Sequence, residues 1–173
     1  MYFRIAVGIV IAAVLAACSS AEDSRKKADE CVVGDLFPAF SLAVDYSRPV
    51  EELVSEGGYA EVSNIITSRH FPAGAGQASL TLVLLTFCEE LSTAEVTALI
   101  QANDLEPADL WELLSFGAEY PSLELPSGPL IEFASAWNGE VIALEEEASG
   151  RVLRAFPLDS RWEPDAWFTA VSQ

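Results

Sequence analysis

Histidine and positive charge are what this chain has least of. His70 is the only histidine, and 9 lysines and arginines face 27 aspartates and glutamates, for a net charge of −18 at pH 7. A single histidine excludes any metal site built from two or three imidazoles of one chain. A Ser-His-Asp triad would have to use His70, and no Gly-x-Ser-x-Gly elbow is present to hold a nucleophile. Ahead of Phe71-Pro72, His70 reads instead as a turn residue. Between Cys31 and Gly150 the only cationic side chains are Arg48 and Arg69, which excludes a basic footprint for nucleic acid or anionic lipid. No loop of spaced aspartates of the calcium-binding type appears. The acidic excess therefore reads as a solvated, self-repelling surface, with Glu145-Glu146-Glu147 as one edge of it, or as an attraction for a cationic partner. Gly74-x-Gly76 lacks a third glycine and precedes a strand-like run, so it is no dinucleotide loop. No motif calls for a cofactor.

Long apolar runs are scarce too. The one present, Ile5 to Leu15, follows the basic residue Arg4 and ends on Leu15-Ala16-Ala17-Cys18. At about 1.5 Å per residue it is too short for a hydrocarbon core of roughly 30 Å. A charged start, a short apolar stretch and small residues at the cut are the anatomy of an export signal. With the cysteine directly after Ala16-Ala17, the segment resembles the lipobox of bacterial lipoproteins. That resemblance implies a signal peptide at 1–17, cleavage before Cys18, and diacylation (palmitate among the chains) of Cys18, so that lipid on Cys18 is the membrane contact. Several acyl chains together give stable anchoring, at about 0.8 kcal/mol per buried methylene. Ser19, where inner-membrane lipoproteins carry Asp, implies an outer-membrane address facing the periplasm.

Cysteine is limited to Cys18, Cys31 and Cys88. With Cys18 lipidated, Cys31 and Cys88 are the remaining pair, and an exported location favours a disulfide between them over two separate thiols. Closing that loop would stabilise the fold by about 4 kcal/mol on the chain-entropy estimate.

Ser19 to Glu30 is polar, mixed in charge and aperiodic, and reads as a tether over 18–30 ahead of one domain at 31–173. Ser47, Pro49 and Gly57-Gly58 bracket a short helix. Tyr59, Val62, Ile65 and Ile66 recur at helical spacing and predict another turn or two. Ser79 to Phe87, rich in Leu, Val and Thr, predicts a central strand. Ser92 with Glu95, and Asp109 with Glu112, each form a capping box that opens a helix, the second ending at Tyr120-Pro121. Beyond them come strand-like runs at Leu130–Trp137, Glu140–Leu144 and Arg151–Phe156, with Asn138-Gly139 as a hairpin signal, and a closing strand or helix at Ala166–Val171. Helices mainly in the first half and an antiparallel meander in the second predict an α+β domain.

Arg69-His70-Phe71-Pro72, the run Leu110–Gly117 with Tyr120-Pro121, and Phe168-x-Ala170-Val171 resemble a family of uncharacterised bacterial proteins, which implies no activity. Asp109-x-x-Glu112-Leu113, tryptophan-bearing strands and the terminal Phe-x-Ala-Val are similar to bacterial C-type-lectin-like domains, although Ala108-Asp109 stands where that motif has Pro-Thr. Trp137, Trp162 and Trp167 are candidate binding aromatics, with burial in the core as their commoner fate. The expectation is a non-catalytic lipoprotein domain that binds an envelope protein or glycan. The alternative is an envelope hydrolase acting through two carboxylates that converge in one pocket.

Overall fold

The computed structural model describes residues 39–172. The segments expected to be a signal peptide and a tether, with Cys18 and Cys31, lie outside these residues. Strand β3 (Gln77–Thr86) fulfils the central-strand reading: from Leu82 to Leu85 it is buried on both faces. β1 (Phe40–Asp45) pairs antiparallel on one side of β3 and β10 (Trp167–Ser172) on the other. Alternation along these strands divides their side chains between two cores. Phe40, Leu42, Val44, Leu80, Leu82 and Leu84 go to the first, and Val83, Leu85, Phe168 and Ala170 to the second.

Beyond β10 the sheet continues through β6 (Leu130–Ile131), β7 (Glu140–Glu147), β8 (Gly150–Pro157) and β2 (Glu61–Val62), while β5 (Glu106–Pro107) also pairs with β10. The β10–β6 and β8–β2 pairs are parallel and the others antiparallel, so β6, β7 and β8 form the expected meander. A separate ribbon joins β4 (Leu91–Ser92) to β9 (Arg161–Trp162). Helices α1 (Val50–Gly57) and α3 (Leu110–Glu119) cover the first face of the sheet through Val50, Leu53, Leu110, Leu113, Leu114 and Phe116. Helix α2 (Thr93–Ala102) covers the second with Val96 and Ile100, beside Leu91 and Trp162 of the ribbon. The fold is therefore α+β. Its helices are not confined to the first half: α2 and α3 both fall between β3 and β6, where one connection supplies cover for both faces.

Both capping boxes form as the spacing predicts. Ser92 Oγ accepts the Glu95 N–H while the Glu95 carboxylate accepts the Ser92 N–H, and Asp109 and Glu112 do the same for α3. α1 begins two positions later than Ser47 suggests: Pro49 is its N-cap, and the Ser47 hydroxyl bonds Asp45 instead. The second helical reading is overturned. Tyr59 to Ile66 is not helical, because the Ala60 and Ser63 N–H groups each bond a carbonyl of β8, Arg151 and Leu153, at 2.8 Å. Those apolar residues still face the first core, from a short strand and the turns after it.

The strand expected over Leu130–Trp137 stops at Ile131. Glu132 there accepts the N–H of Ser135 at 3.1 Å and that of Ile142 at 3.3 Å, which turns the chain out of the ladder. Pairing resumes where Trp137 and Glu140 exchange two bonds of 2.9 Å across Asn138-Gly139. Positive φ at both turn residues, 52° and 79°, marks the type I′ turn that Asn-Gly favours.

Candidate functional site

The structure does not gather the candidate tryptophans on one surface. Trp162 is buried in the second core, 4 % exposed, with its indole N–H donated to Thr93 Oγ1 at 2.9 Å. Trp137 and Trp167 are half-buried against the first core. Trp137 sits opposite Glu140, whereas Trp167 lies beside Leu130, whose β7 partner is Leu144. At a rise of roughly 3.3 Å per residue this spaces them by about 13 Å along β7. Trp137 stacks on His70 with centroids 3.9 Å apart and planes at 17°, and His70 Nδ1 lies 2.9 Å from the Ile65 carbonyl oxygen. His70 thus does hold a turn, and one face of Trp137 is covered by it. The fourth tryptophan, Trp111, is buried and donates its indole N–H to the Arg48 carbonyl at 3.0 Å.

The sequence marks Asp109 and Glu112 only as a helix cap and does not single out Glu132, yet Glu112 and Glu132 are buried and Asp109 is half-buried. Around the start of α3 lie Asp109, Glu112 and Glu132, the last fully buried. The Glu112 carboxylate accepts the Asp109 N–H and the Tyr46 hydroxyl, both at 2.7 Å. Burial pushes the Glu132 carboxyl up to about 8, against the pull of its two backbone N–H donors, and the charges of Asp109 and Glu112 add to the rise. Burial also raises Glu112, helped by the Asp109 charge, and raises Asp109. Among the described residues no basic side chain bonds any of the three. A general acid or base must reach substrate. Here the carboxyl groups are turned onto backbone N–H groups of their own cap or connection, and Glu112 also ties α3 to Tyr46, just after β1, through the tyrosine hydroxyl.

Two open hollows lie instead along β1. One, of about 340 Å³, is lined by Ala43, Arg48, Leu53, Glu56, Ser115, Ala118 and Glu119. The other, of about 420 Å³, is lined by Ser41, Leu42, Ala43, Ser79, Leu80, Thr81, Glu119 and Ser172. Neither includes a member of the buried acidic cluster or a tryptophan. Arg48 is already bonded to Glu56, at 2.5 and 2.9 Å, with Glu52 at 3.6 Å. Glu119 is exposed and has no ion-pair partner among the described residues. Nor do the described residues place three or more His, Cys, Asp or Glu side chains so as to hold a metal ion.

No protein-family model matches this chain, and no curated protein or solved structure matches it either. The functional reading therefore rests on the chain's own residues. One more of them bears on it: Cys88, just beyond β3, is disulfide-bonded. Its expected partner, Cys31, lies outside the described residues. The apolar setting of Glu132, between Ile131 and Phe133, was the available signal for a buried acid; spacing pairs Asp109 with Glu112, but nothing in the sequence brings Tyr46 or Glu132 to them.

Proposed function

We propose that this chain is a lipid-anchored protein of the bacterial envelope, held by acyl chains on Cys18 and facing the periplasm from the outer membrane. Its domain binds an envelope partner, protein or glycan, and does not catalyse a reaction on it. The anchoring half of this reading is supported by Leu15-Ala16-Ala17-Cys18, and an exported location would suit a disulfide between Cys31 and Cys88. One observation carries the binding half. The converging carboxylates are engaged with backbone groups, while the open hollows lie along a strand edge and hold only Glu56, already paired, and Glu119. A hydrolase would need the opposite arrangement, with two free carboxyl groups facing each other across a cleft.

The test is crosslinking of the lipidated protein in its own envelope, with a control that carries only the signal and tether. A recurring crosslinked species, absent from the control and bound again by the purified protein, is the expected result. A crosslinking pattern identical to that of the control would contradict it.

A further inference from the structure

We infer that an extended, lysine- or arginine-bearing segment of a partner protein adds as a strand to the outer edge of β1, taking the place of the Tyr120 hydroxyl at the Ser41 carbonyl. This rests on the binding reading above and selects protein over glycan. β1 is the end strand of the sheet, and among the described residues no strand lies on its outer side. Its bonding phase is fixed at both ends. The Tyr46 N–H bonds the Gly76 carbonyl across the β1–β3 pair, and the Ser41 carbonyl faces away to accept the Tyr120 hydroxyl at 3.0 Å. Ser41 and Ala43 therefore turn their backbone N–H groups outward, as alternation in an antiparallel pair requires.

Edges of this kind are usually blunted by lysine, proline, a bulge or extreme shortness. The opposite edge of this sheet is β2, only 2 residues long and flanked by the Glu61–Arg154 ion pair. β1 has 6 residues, pairs in unbroken register with β3 and carries no charge from Phe40 to Val44. Its outward-facing residues Ser41 and Ala43 are small and exposed, so another backbone can come within bonding distance. The two hollows flank this edge, ready to take alternate side chains of an added strand, and Ala43 lines both.

Charge complementarity identifies the occupant. Among the described residues Glu119 lines both hollows and has no ion-pair partner, and the one cation lining them, Arg48, is neutralised by Glu56 and Glu52. The chain as a whole carries −18. A second copy would bring two such acidic edges together, whereas a cationic segment would be drawn in and held by Glu119.

The probe is a blocked peptide alternating valine and lysine, titrated into the full lipidated protein in neutral detergent and followed by fluorescence anisotropy and amide hydrogen exchange. Binding should slow exchange at Ser41 and Ala43. Ala43→Pro removes an outward N–H without touching the β3 ladder and should weaken binding by about tenfold or more. Glu119→Lys, which leaves the edge intact, should weaken it about threefold or more at moderate salt. An unchanged thermal midpoint for Glu119→Lys keeps the test meaningful if Ala43→Pro unfolds. Peptide affinity equal in wild type and both variants, or exchange at Ser41 and Ala43 unaltered on binding, would overturn the inference. So would a dimer in sedimentation that protects the same two amides without peptide. A crosslinked envelope partner that leaves β1 unprotected would refute this inference while the binding reading stood.

Discussion

Gly117 shows how closely single atoms set this fold. A Cβ built there would lie 2.0 Å from the Tyr59 hydroxyl oxygen, and one on Gly57 would lie 2.4 Å from the Tyr59 ring. Gly→Ala inside a helix ordinarily gains up to about 1 kcal/mol. Gly117→Ala should instead lose roughly 1–3 kcal/mol in urea denaturation, because the ring is wedged between α1 and α3 and has little room to give. The Tyr59 hydroxyl is buried without a hydrogen-bond partner among the described residues. Tyr59→Phe should therefore be neutral or stabilising, and should ease part of the Gly117→Ala defect; strong destabilisation by Tyr59→Phe would show that the hydroxyl is bonded after all. Glu132 makes a prediction about pH. Its folded-state value is raised by burial to about 8, above the usual glutamate value of 4.5. Its contribution to stability is then full below about pH 4.5 and is lost as pH rises through about 8. The raised Asp109 and Glu112 act in the same sense. Stability measured at several pH values should fall between these limits, and Glu132→Gln should flatten the slope while lowering stability at acid pH, since its amide nitrogen meets an N–H donor.

At the scale of elements, what was legible in the sequence was what local chemistry decides. Asp109-x-x-Glu112 fixes the start of α3 because both partners of the cap lie within one turn. Asp109→Ala should cost about 0.5–2 kcal/mol by chemical denaturation, and a larger loss would point to the Tyr46 contact of Glu112 as its source. Asn138-Gly139 likewise specifies its turn through its own backbone preference. What stayed hidden was decided by distant partners. Tyr59, Val62, Ile65 and Ile66 have helical spacing, but among them the Ala60 and Ser63 N–H groups are taken by the Arg151 and Leu153 carbonyls of β8. The strand after Leu130 ended because a side chain at 132 reached Ile142, which no local pattern announces. Trp137, Trp162 and Trp167 all lie in the strand-rich half of the chain, but that does not make them neighbours. The sheet separates Trp162 from the other two, and pairing register separates Trp137 from Trp167.

For the whole molecule, the acidic excess and the proposed lipid anchor fit one physical situation: a self-repelling domain that acyl chains, rather than its own surface, would hold near a membrane. The proposed disulfide between Cys31 and Cys88 would add a covalent tie, and reduction under non-denaturing conditions should then lower the thermal midpoint. The anchor is the premise on which the proposed binding at the envelope depends. The most direct measurement is fractionation of cells expressing wild type and Cys18→Ala, with radiolabelled palmitate followed in both. Wild type should carry label and sediment with the membranes, while Cys18→Ala should be unlabelled and, once its signal is removed, recovered folded in the soluble fraction. Unlabelled wild type, or a Cys18→Ala protein that sediments with the membranes as wild type does, would contradict the account.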